Sequence, residues 1–287
     1  MHMSICTLCP NDCRVDRDKT VGKCLVSSTL KIAKYYLHPF EEPIISGVAG
    51  SGTVFFCGCS RKCKFCQNFE VSRNMRGKEI TVDELADIFR ELEDMGANNV
   101  NLVSPTQYAD KIIEALKIYR HKIPVCYNTH GYEKISTLEK LNEYVDIYLP
   151  DYKYVSPERA QRYSGVPDYG EYAGKAIEFM IKSKPCVLGD DGLLKQGVIV
   201  RHLILPQNLD ETRRVLNALS PMIGDAYLSL MSQYTPFGDT CYPELKRRIT
   251  KREYNIAISA ASALGFEKVF LQDFDSQSDK FIPSWDY

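Results

Sequence analysis

The chain has 287 residues, and 36 Lys and Arg stand against 37 Asp and Glu for a net charge of −1, so no bulk field draws it to nucleic acid or an anionic membrane. Its 44% hydrophobic and 25% charged content fits one large α/β domain with a small appendage. No stretch reaches the ~18 apolar residues of a spanning helix, and Met1-His-Met-Ser-Ile-Cys6 lacks the basic and apolar regions of a signal peptide, so the chain is expected in the cytoplasm.

Eleven cysteines in a reducing compartment point to metal rather than disulfides. The first four, Cys6, Cys9, Cys13 and Cys24, fall within 19 residues as C-x2-C-P-x2-C-x10-C. Four thiolates suit structural zinc or a fully ligated iron–sulfur cluster, and the spacing does not choose between them. A metal would replace the core that this polar segment lacks. Residues 31–52 contain Pro39, Pro43 and Gly47-Val-Ala-Gly-Ser-Gly52 and read as a connector. Residues 1–48 are therefore expected to form a Cys-rich metal-binding module with its connector, and 49–287 the main domain. Cys57, Cys126, Cys186 and Cys241 are scattered, and Cys126 and Cys186 read as small buried hydrophobes.

The first strand, Thr53–Cys57, runs into a Gly-bearing basic loop holding Cys59, Cys63 and Cys66 as C-x3-C-x2-C. Three thiolates can hold three irons of a 4Fe-4S cluster and leave the fourth iron open to a substrate or cofactor. An electron-transfer ferredoxin site wants a fourth Cys close by. Three reduced thiols, or zinc completed from elsewhere, are the alternatives. Arg61, Lys62 and Lys64 offset thiolate and sulfide charge, and Phe65 puts a ring beside the cluster.

Strands and helices then alternate. Thr81-Val-Asp-Glu84 is a capping box; Leu85, Ile88, Phe89 and Leu92 follow at helical spacing, and Gly96 ends the helix. Further strands are expected at Asn99–Val103, Pro124–Asn128, Asp146–Leu149, Val198–Leu205, Ala226–Met231 and Val269–Gln272. Helices are expected near Gln107–Arg120, Ile135–Tyr144, Pro157–Tyr163, Tyr172–Lys182, Leu209–Leu219 and Thr250–Leu264, with a turn or hairpin inserted at Lys184–Gln196. The pattern argues for a parallel sheet buried on both faces. Six such units fit a partial (β/α)6 barrel or a doubly wound open sheet. Either places its site on the loops after the strands.

The Cys motif and its context, Phe55-Phe-Cys-Gly-Cys59 and Cys66-Gln-Asn68, resemble the radical S-adenosylmethionine (SAM) superfamily and, within it, the pyruvate formate-lyase activating enzyme group. Tyr127-Asn-Thr-His-Gly-Tyr132, Val145–Lys153, Val200–Pro206 and Leu228–Tyr234 resemble a less characterised branch of that group. The resemblance covers about residues 50–270. It implies a partial (β/α)6 TIM barrel, a 4Fe-4S cluster on Cys59, Cys63 and Cys66, and SAM chelated by the open iron. It also implies one-electron cleavage of SAM to methionine and a 5′-deoxyadenosyl radical, which abstracts a hydrogen atom.

Carried over residue by residue, the resemblance suggests cofactor contacts. Ser104 and Thr106 stand where relatives have a Gly-Gly-Glu segment. Asn128 and Thr129 occupy a turn near the SAM ribose and carboxylate. Asp151 and Lys153 match an Asp-x-Lys element, and His202, rather than Arg201, is chosen on the fifth strand. Phe65 joins them. Gln233 and Tyr234 are expected near the substrate mouth. The implied partners are a glycyl radical enzyme as substrate and a flavodoxin or ferredoxin as electron donor. Direct modification of a peptide, a protein side chain or a small molecule is the alternative, and a non-catalytic metal-binding module a third. The N-terminal cysteines resemble modules of related radical SAM branches.

Overall fold

A computed structural model describes residues 5–236, 242–272 and 274 of the chain, so Cys241 lies outside the described residues. The strands are β1 (Leu30–His38), β2 (Ser51–Phe56), β3 (Lys78–Ile80), β4 (Val100–Val103), β5 (Val125–Thr129), β6 (Ile147–Pro150), β7 (Val187–Leu188), β8 (Leu194–Leu203), β9 (Tyr227–Met231) and β10 (Val269–Leu271). The helices are α1 (Pro43–Ser46), α2 (Phe69–Ser72), α3 (Val82–Asp94), α4 (Ala109–Tyr119), α5 (Ile135–Leu141), α6 (Pro157–Ser164), α7 (Tyr169–Ser183), α8 (Leu209–Leu219) and α9 (Lys251–Ala263).

The sheet runs β3-β1-β2-β4-β5-β6-β8-β9-β10, with β7 paired to β8. From β2 to β10 every neighbour on this path is parallel. Parallel strands need helical crossovers, which cover the sheet and explain why β2, β5 and β6 are buried at every position. No pairing joins β10 back to β3 among the described residues, which makes this a partial barrel. The expected six units appear as β2, β4, β5, β6, β8 and β9, and β10 extends the series. The Lys184–Gln196 insertion is a hairpin, with Val187 opposite Gln196 and Leu188 opposite Leu194 in antiparallel pairing.

Helix starts follow local chemistry. Thr81 Oγ1 accepts the Glu84 N–H at 3.1 Å, and the Thr81 N–H donates to Glu84 Oε2 at 2.7 Å; α9 repeats this box at Thr250 and Glu253. Leu85, Ile88, Phe89 and Leu92 of α3 enter the main core with Val54, Leu102 and Tyr127 of the sheet. Thr81→Ala is expected to cost about 1 kcal/mol in urea denaturation, because one orphan helix N–H loses its acceptor.

The connector reading of residues 31–52 is corrected by β1. That strand pairs antiparallel with β2, Tyr35 opposite Val54, and with β3, Leu30 opposite Ile80. Leu30 and Ile32 face inward, the period-two signal of a strand, and Pro39 marks where it stops. The strand that feeds the three-cysteine loop is consequently interior to the sheet.

Candidate active site

The chain leaves β2 through Cys57, a buried thiol that donates to the Arg76 carbonyl at 3.1 Å and is pushed up to about 12 by burial. Gly58 follows at φ +80°, where a Cβ would stand 2.4 Å from Val26 Cγ2 and 2.6 Å from the Cys24 carbonyl oxygen. Only glycine fits this combination of backbone and contact. The next amide, Cys59 N–H, donates to the Cys24 carbonyl at 3.2 Å, so the N-terminal segment lies directly on the loop. On the far side, Lys62 and Lys64 donate their amides to the Ser164 and Tyr163 carbonyls at the end of α6, at 3.3 and 2.9 Å. The Cys63 sulfur is 3.3 Å from Ser164 Oγ, and the Cys66 sulfur 3.3 Å from Ser72 Oγ.

Cys59, Cys63 and Cys66 line one cavity of about 650 Å³ at the C-terminal ends of the parallel strands. Phe65, Ser104, Asn128, Thr129, Asp151 and Lys153 line the same cavity, as expected from the sequence. Ser104 holds φ +57°, a conformation that glycine adopts most readily. Phe65 packs edge-on against Tyr234, ring centroids 6.1 Å apart. Tyr234 itself is buried with its hydroxyl on the Leu245 carbonyl at 2.7 Å; of the expected mouth residues, Gln233 alone lines the cavity.

Two expected contacts lie elsewhere. Thr106 sits in a 3-10 turn and donates to Glu133 Oε1 at 2.6 Å. His202 is buried with both ring nitrogens engaged. Its Nδ1 is 2.8 Å from the Tyr152 carbonyl and carries the proton; its Nε2 accepts from Thr212 Oγ1 at 3.0 Å. Neighbouring side chains on a strand face opposite ways, and it is Arg201 that enters the cavity.

Arg201 organises the polar wall. It donates to Asn128 Oδ1 at 2.6 Å and to Asp151 Oδ1 at 3.0 Å, and its Nη1 is 3.6 Å from Glu41. Lys153 Nζ donates to Asp151 Oδ2 at 2.6 Å. Burial pushes the Asp151 carboxyl up, but the Arg201 and Lys153 cations outweigh it and hold the group below its usual value. Glu41 also accepts from the Asn101 and Asn128 amides at 3.1 and 3.2 Å. Glu41 and its cavity neighbour Glu42 arrive from the segment after β1, and no motif in the sequence announced them.

Around the thiols, burial pushes Cys59 up to about 12, and the neighbouring Cys63 and Cys66 add to this. Of the three loop cations, Lys62 and Lys64 are exposed. Arg61 is 2% exposed, with its guanidinium 3.8 Å above the Tyr132 ring. Among the described residues its Nη1 and Nη2 have no hydrogen-bond partner, a costly arrangement unless an anionic acceptor meets them. The Lys153 charge acts on Cys66. Three thiols on one wall, a buried cation with unused donors and a second cation fit an anionic iron–sulfur cluster. His130 is held neutral, its value pulled down to about 3 by burial, then by Arg61 and Lys153.

Glu133, behind this wall, was not foreseen. It is fully buried, accepts hydroxyl hydrogen bonds from Thr106 and Thr129, and burial raises it to about 7. Its folded value lies above that of an unfolded glutamate, so the native state binds this proton more tightly. The stability tied to it is present below about pH 4.5 and is lost as pH rises through 7, about 3 kcal/mol in all. Glu133→Gln is expected to gain about 2–3 kcal/mol relative to wild type between pH 5 and pH 8, read by urea denaturation.

Cys6, Cys9, Cys13 and Cys24 line a second, small cavity together with Ser60, Thr106 and Gln107 of the barrel. Burial raises Cys9, and raises Cys24 to about 11. Gln107 donates its side-chain amide to the Cys57, Gly58 and Ser104 carbonyls at 3.1, 3.0 and 2.7 Å, and its backbone carbonyl accepts from Arg17 Nη1 at 2.6 Å. Among the described residues no cysteine is in a disulfide, no three His, Cys, Asp or Glu side chains converge on one ion-sized point, and no helix is long and apolar enough to cross a membrane.

A family model described as "Radical SAM superfamily" matches residues 53–219. An uncharacterised protein of Methanocaldococcus jannaschii is 30% identical over 276 residues, covering 92% of this chain and 76% of that protein. Among solved structures, SuiB of Streptococcus suis bound to S-adenosylmethionine aligns with TM-score 0.51 and 15% identity over 74% of this chain and 47% of SuiB. Methylornithine synthase (PylB) aligns with TM-score 0.50 and 17% identity over 71% of this chain and 59% of that one. The chain thus spans less than two thirds of these solved structures, and at such identities the likeness is one of fold.

Proposed function

The chain belongs to the radical SAM superfamily, and from that premise we propose that it is an activating enzyme that abstracts a hydrogen atom from a glycine of a partner protein. Family membership implies a 4Fe-4S cluster and SAM. When bound, they supply the one-electron cleavage that yields a 5′-deoxyadenosyl radical. One observation carries the reading: the three thiols of the motif and the polar ends of the later strands line a single cavity.

In this reading Cys59, Cys63 and Cys66 ligate the cluster. Arg61 and Lys153 balance its charge. Asn128, Thr129, Asp151, Arg201 and Glu41 present donors and acceptors to the amino, carboxylate and ribose groups of SAM, and Ser104 borders them. Phe65, Leu203 and Met231 supply apolar wall, which excludes water from the reacting atoms. Phe40 and Leu271, 55% and 49% exposed, form the apolar rim at which a polypeptide would enter. The four N-terminal cysteines form a second metal site, zinc or iron–sulfur, on the segment that precedes β1. A flavodoxin or ferredoxin supplies the electron.

A second reading, direct modification of a peptide, draws on the N-terminal cysteines and on SuiB, which has been solved with its precursor peptide SuiA. Anaerobically reconstituted protein given dithionite and SAM should release 5′-deoxyadenosine; none, with a 4Fe-4S cluster verified, sinks both readings. A glycyl-radical EPR signal on a co-produced partner supports the activase. Deuterium passing from a labelled peptide into 5′-deoxyadenosine, with no such signal, replaces it by the second reading.

A further inference from the structure

We infer that the hydroxyls of Ser72 and Ser164 raise the reduction potential of the cluster on Cys59, Cys63 and Cys66, by donating hydrogen bonds to two of its three thiolate ligands. The inference rests on the reading that the triad holds a 4Fe-4S cluster. Neither serine lies on the three-cysteine loop: Ser72 ends α2 and Ser164 ends α6.

Each sulfur of the triad has a donor beside it. Cys59 Sγ accepts the Arg61 backbone N–H at 3.4 Å. Ser164 Oγ stands 3.3 Å from Cys63 Sγ, and Ser72 Oγ 3.3 Å from Cys66 Sγ. The first donor is loop backbone, which almost any residue supplies. The other two are side chains from separate helices, and backbone bonds fasten both helices to the loop. Gly58 N–H donates to the Val71 carbonyl at 3.1 Å, one residue before Ser72, and Lys62 N–H donates to the carbonyl of Ser164 itself at 3.3 Å. The fold therefore aims each hydroxyl at its own sulfur.

The direction of these bonds follows from charge. A thiolate carries no proton and only accepts, so the hydroxyls donate once the sulfurs ligate iron. Both serines are buried, 6% and 2% exposed, so water does not compete for them. A serine at a helix end ordinarily turns its hydroxyl onto a carbonyl of its own helix. Here the partners are the Cys66 sulfur for Ser72, and the Cys63 sulfur and the Tyr154 hydroxyl, 3.4 Å away, for Ser164. With the serine proton committed to sulfur, Tyr154 donates to Ser164 Oγ. A buried chain then runs from Tyr154 through Ser164 to Cys63, and each bond polarises the next.

Reduction adds one electron to the cluster and its thiolates, with no bond made and no proton moved. Hydrogen bonds to the sulfurs stabilise the added negative charge more than they stabilise the oxidised state, which raises the potential. The low-potential carrier of the flavodoxin or ferredoxin class then delivers its electron over a smaller uphill step.

The test is a redox titration of the anaerobically reconstituted full chain, followed by the reduced-cluster EPR signal. The triad's signal is the one that Cys63→Ala removes. Ser72→Ala and Ser164→Ala should each lower the reduced-to-oxidised ratio at a fixed potential about threefold. The double variant should lower it about tenfold, which for a one-electron couple is about 59 mV. Tyr154→Phe should shift the midpoint the same way by less than Ser164→Ala. Ser72→Thr and Ser164→Thr keep the hydroxyl and should hold the wild-type midpoint, and iron per chain should match wild type throughout. A double variant with full iron and the wild-type midpoint overturns the inference. An equal fall in the threonine variants also overturns it, because packing would then be the cause. Iron lost from the alanine variants overturns it too, because the serines would then support cluster binding instead of tuning it. Wild-type protein with no signal for Cys63→Ala to remove sinks the cluster reading itself, and the inference with it.

Discussion

An alanine at Cys63 is expected to take 5′-deoxyadenosine formation below detection, a loss of at least about a thousandfold, with cluster iron falling in parallel. The reason is the ligand count. Three thiolates are the fewest that fix a four-iron cluster with a single open corner, and among the described residues the cavity wall offers no fourth cysteine to replace one that is lost. Cys57 is the internal control. It sits two residues from Cys59, yet its thiol is turned toward the Arg76 carbonyl and lies outside the cavity. Cys57→Ala should keep full iron and activity and cost only about 1–2 kcal/mol from lost packing. Equal damage from the two substitutions would sink the assignment of the triad.

Arg201 and His202 make the second test, because they are neighbours in sequence with opposite surroundings. Arg201→Ala leaves Asp151 and Glu41 short of their shared cation in a mostly buried wall. It is expected to cost about 3 kcal/mol, toward the lower end for a broken buried pair because Lys153 and the two asparagines remain. It should also weaken SAM binding at least tenfold, since Asn128 and Asp151 lose the group that orients them. His202→Ala should cost about 1–3 kcal/mol, as Tyr152 and Thr212 lose their partner, and should leave SAM affinity unchanged. Urea denaturation and calorimetric titration of SAM into reconstituted protein separate the two effects. SAM affinity lost in His202→Ala and kept in Arg201→Ala would reverse the assignment.

The parallel strands, the α3 cap and the 184–196 hairpin were legible in the sequence because each is written in local chemistry: apolar runs, Thr81 with Glu84, a Gly-Asp-Asp-Gly turn. The three-cysteine loop was legible because its spacing is short and its strand adjoins it. The choice between Arg201 and His202 was not, since a period of two separates neighbours without saying which faces inward. Glu41 and Glu42 were hidden for a different reason. They reach the cavity only because β1 adds itself to the edge of β2, a long-range pairing with no local signature beyond the alternation of Leu30 and Ile32. Glu133 owes its character to Thr106 and Thr129, which meet it only after folding. Lys62 and Lys64 looked equivalent to Arg61 in the sequence, and only the turn of the loop separates one buried cation from two exposed ones.

The pairing of β1 with β2 also bears on how this chain can be cut. The family match starts at residue 53, inside β2. A fragment that began there would keep the motif but expose an open strand edge, inviting intermolecular pairing and aggregation. It would also lose Glu41 from the cavity and the Cys24 carbonyl that receives Cys59. The stretch that carries the family's signature is therefore smaller than the unit that can be expressed and studied, and recombinant work needs the residues upstream of it.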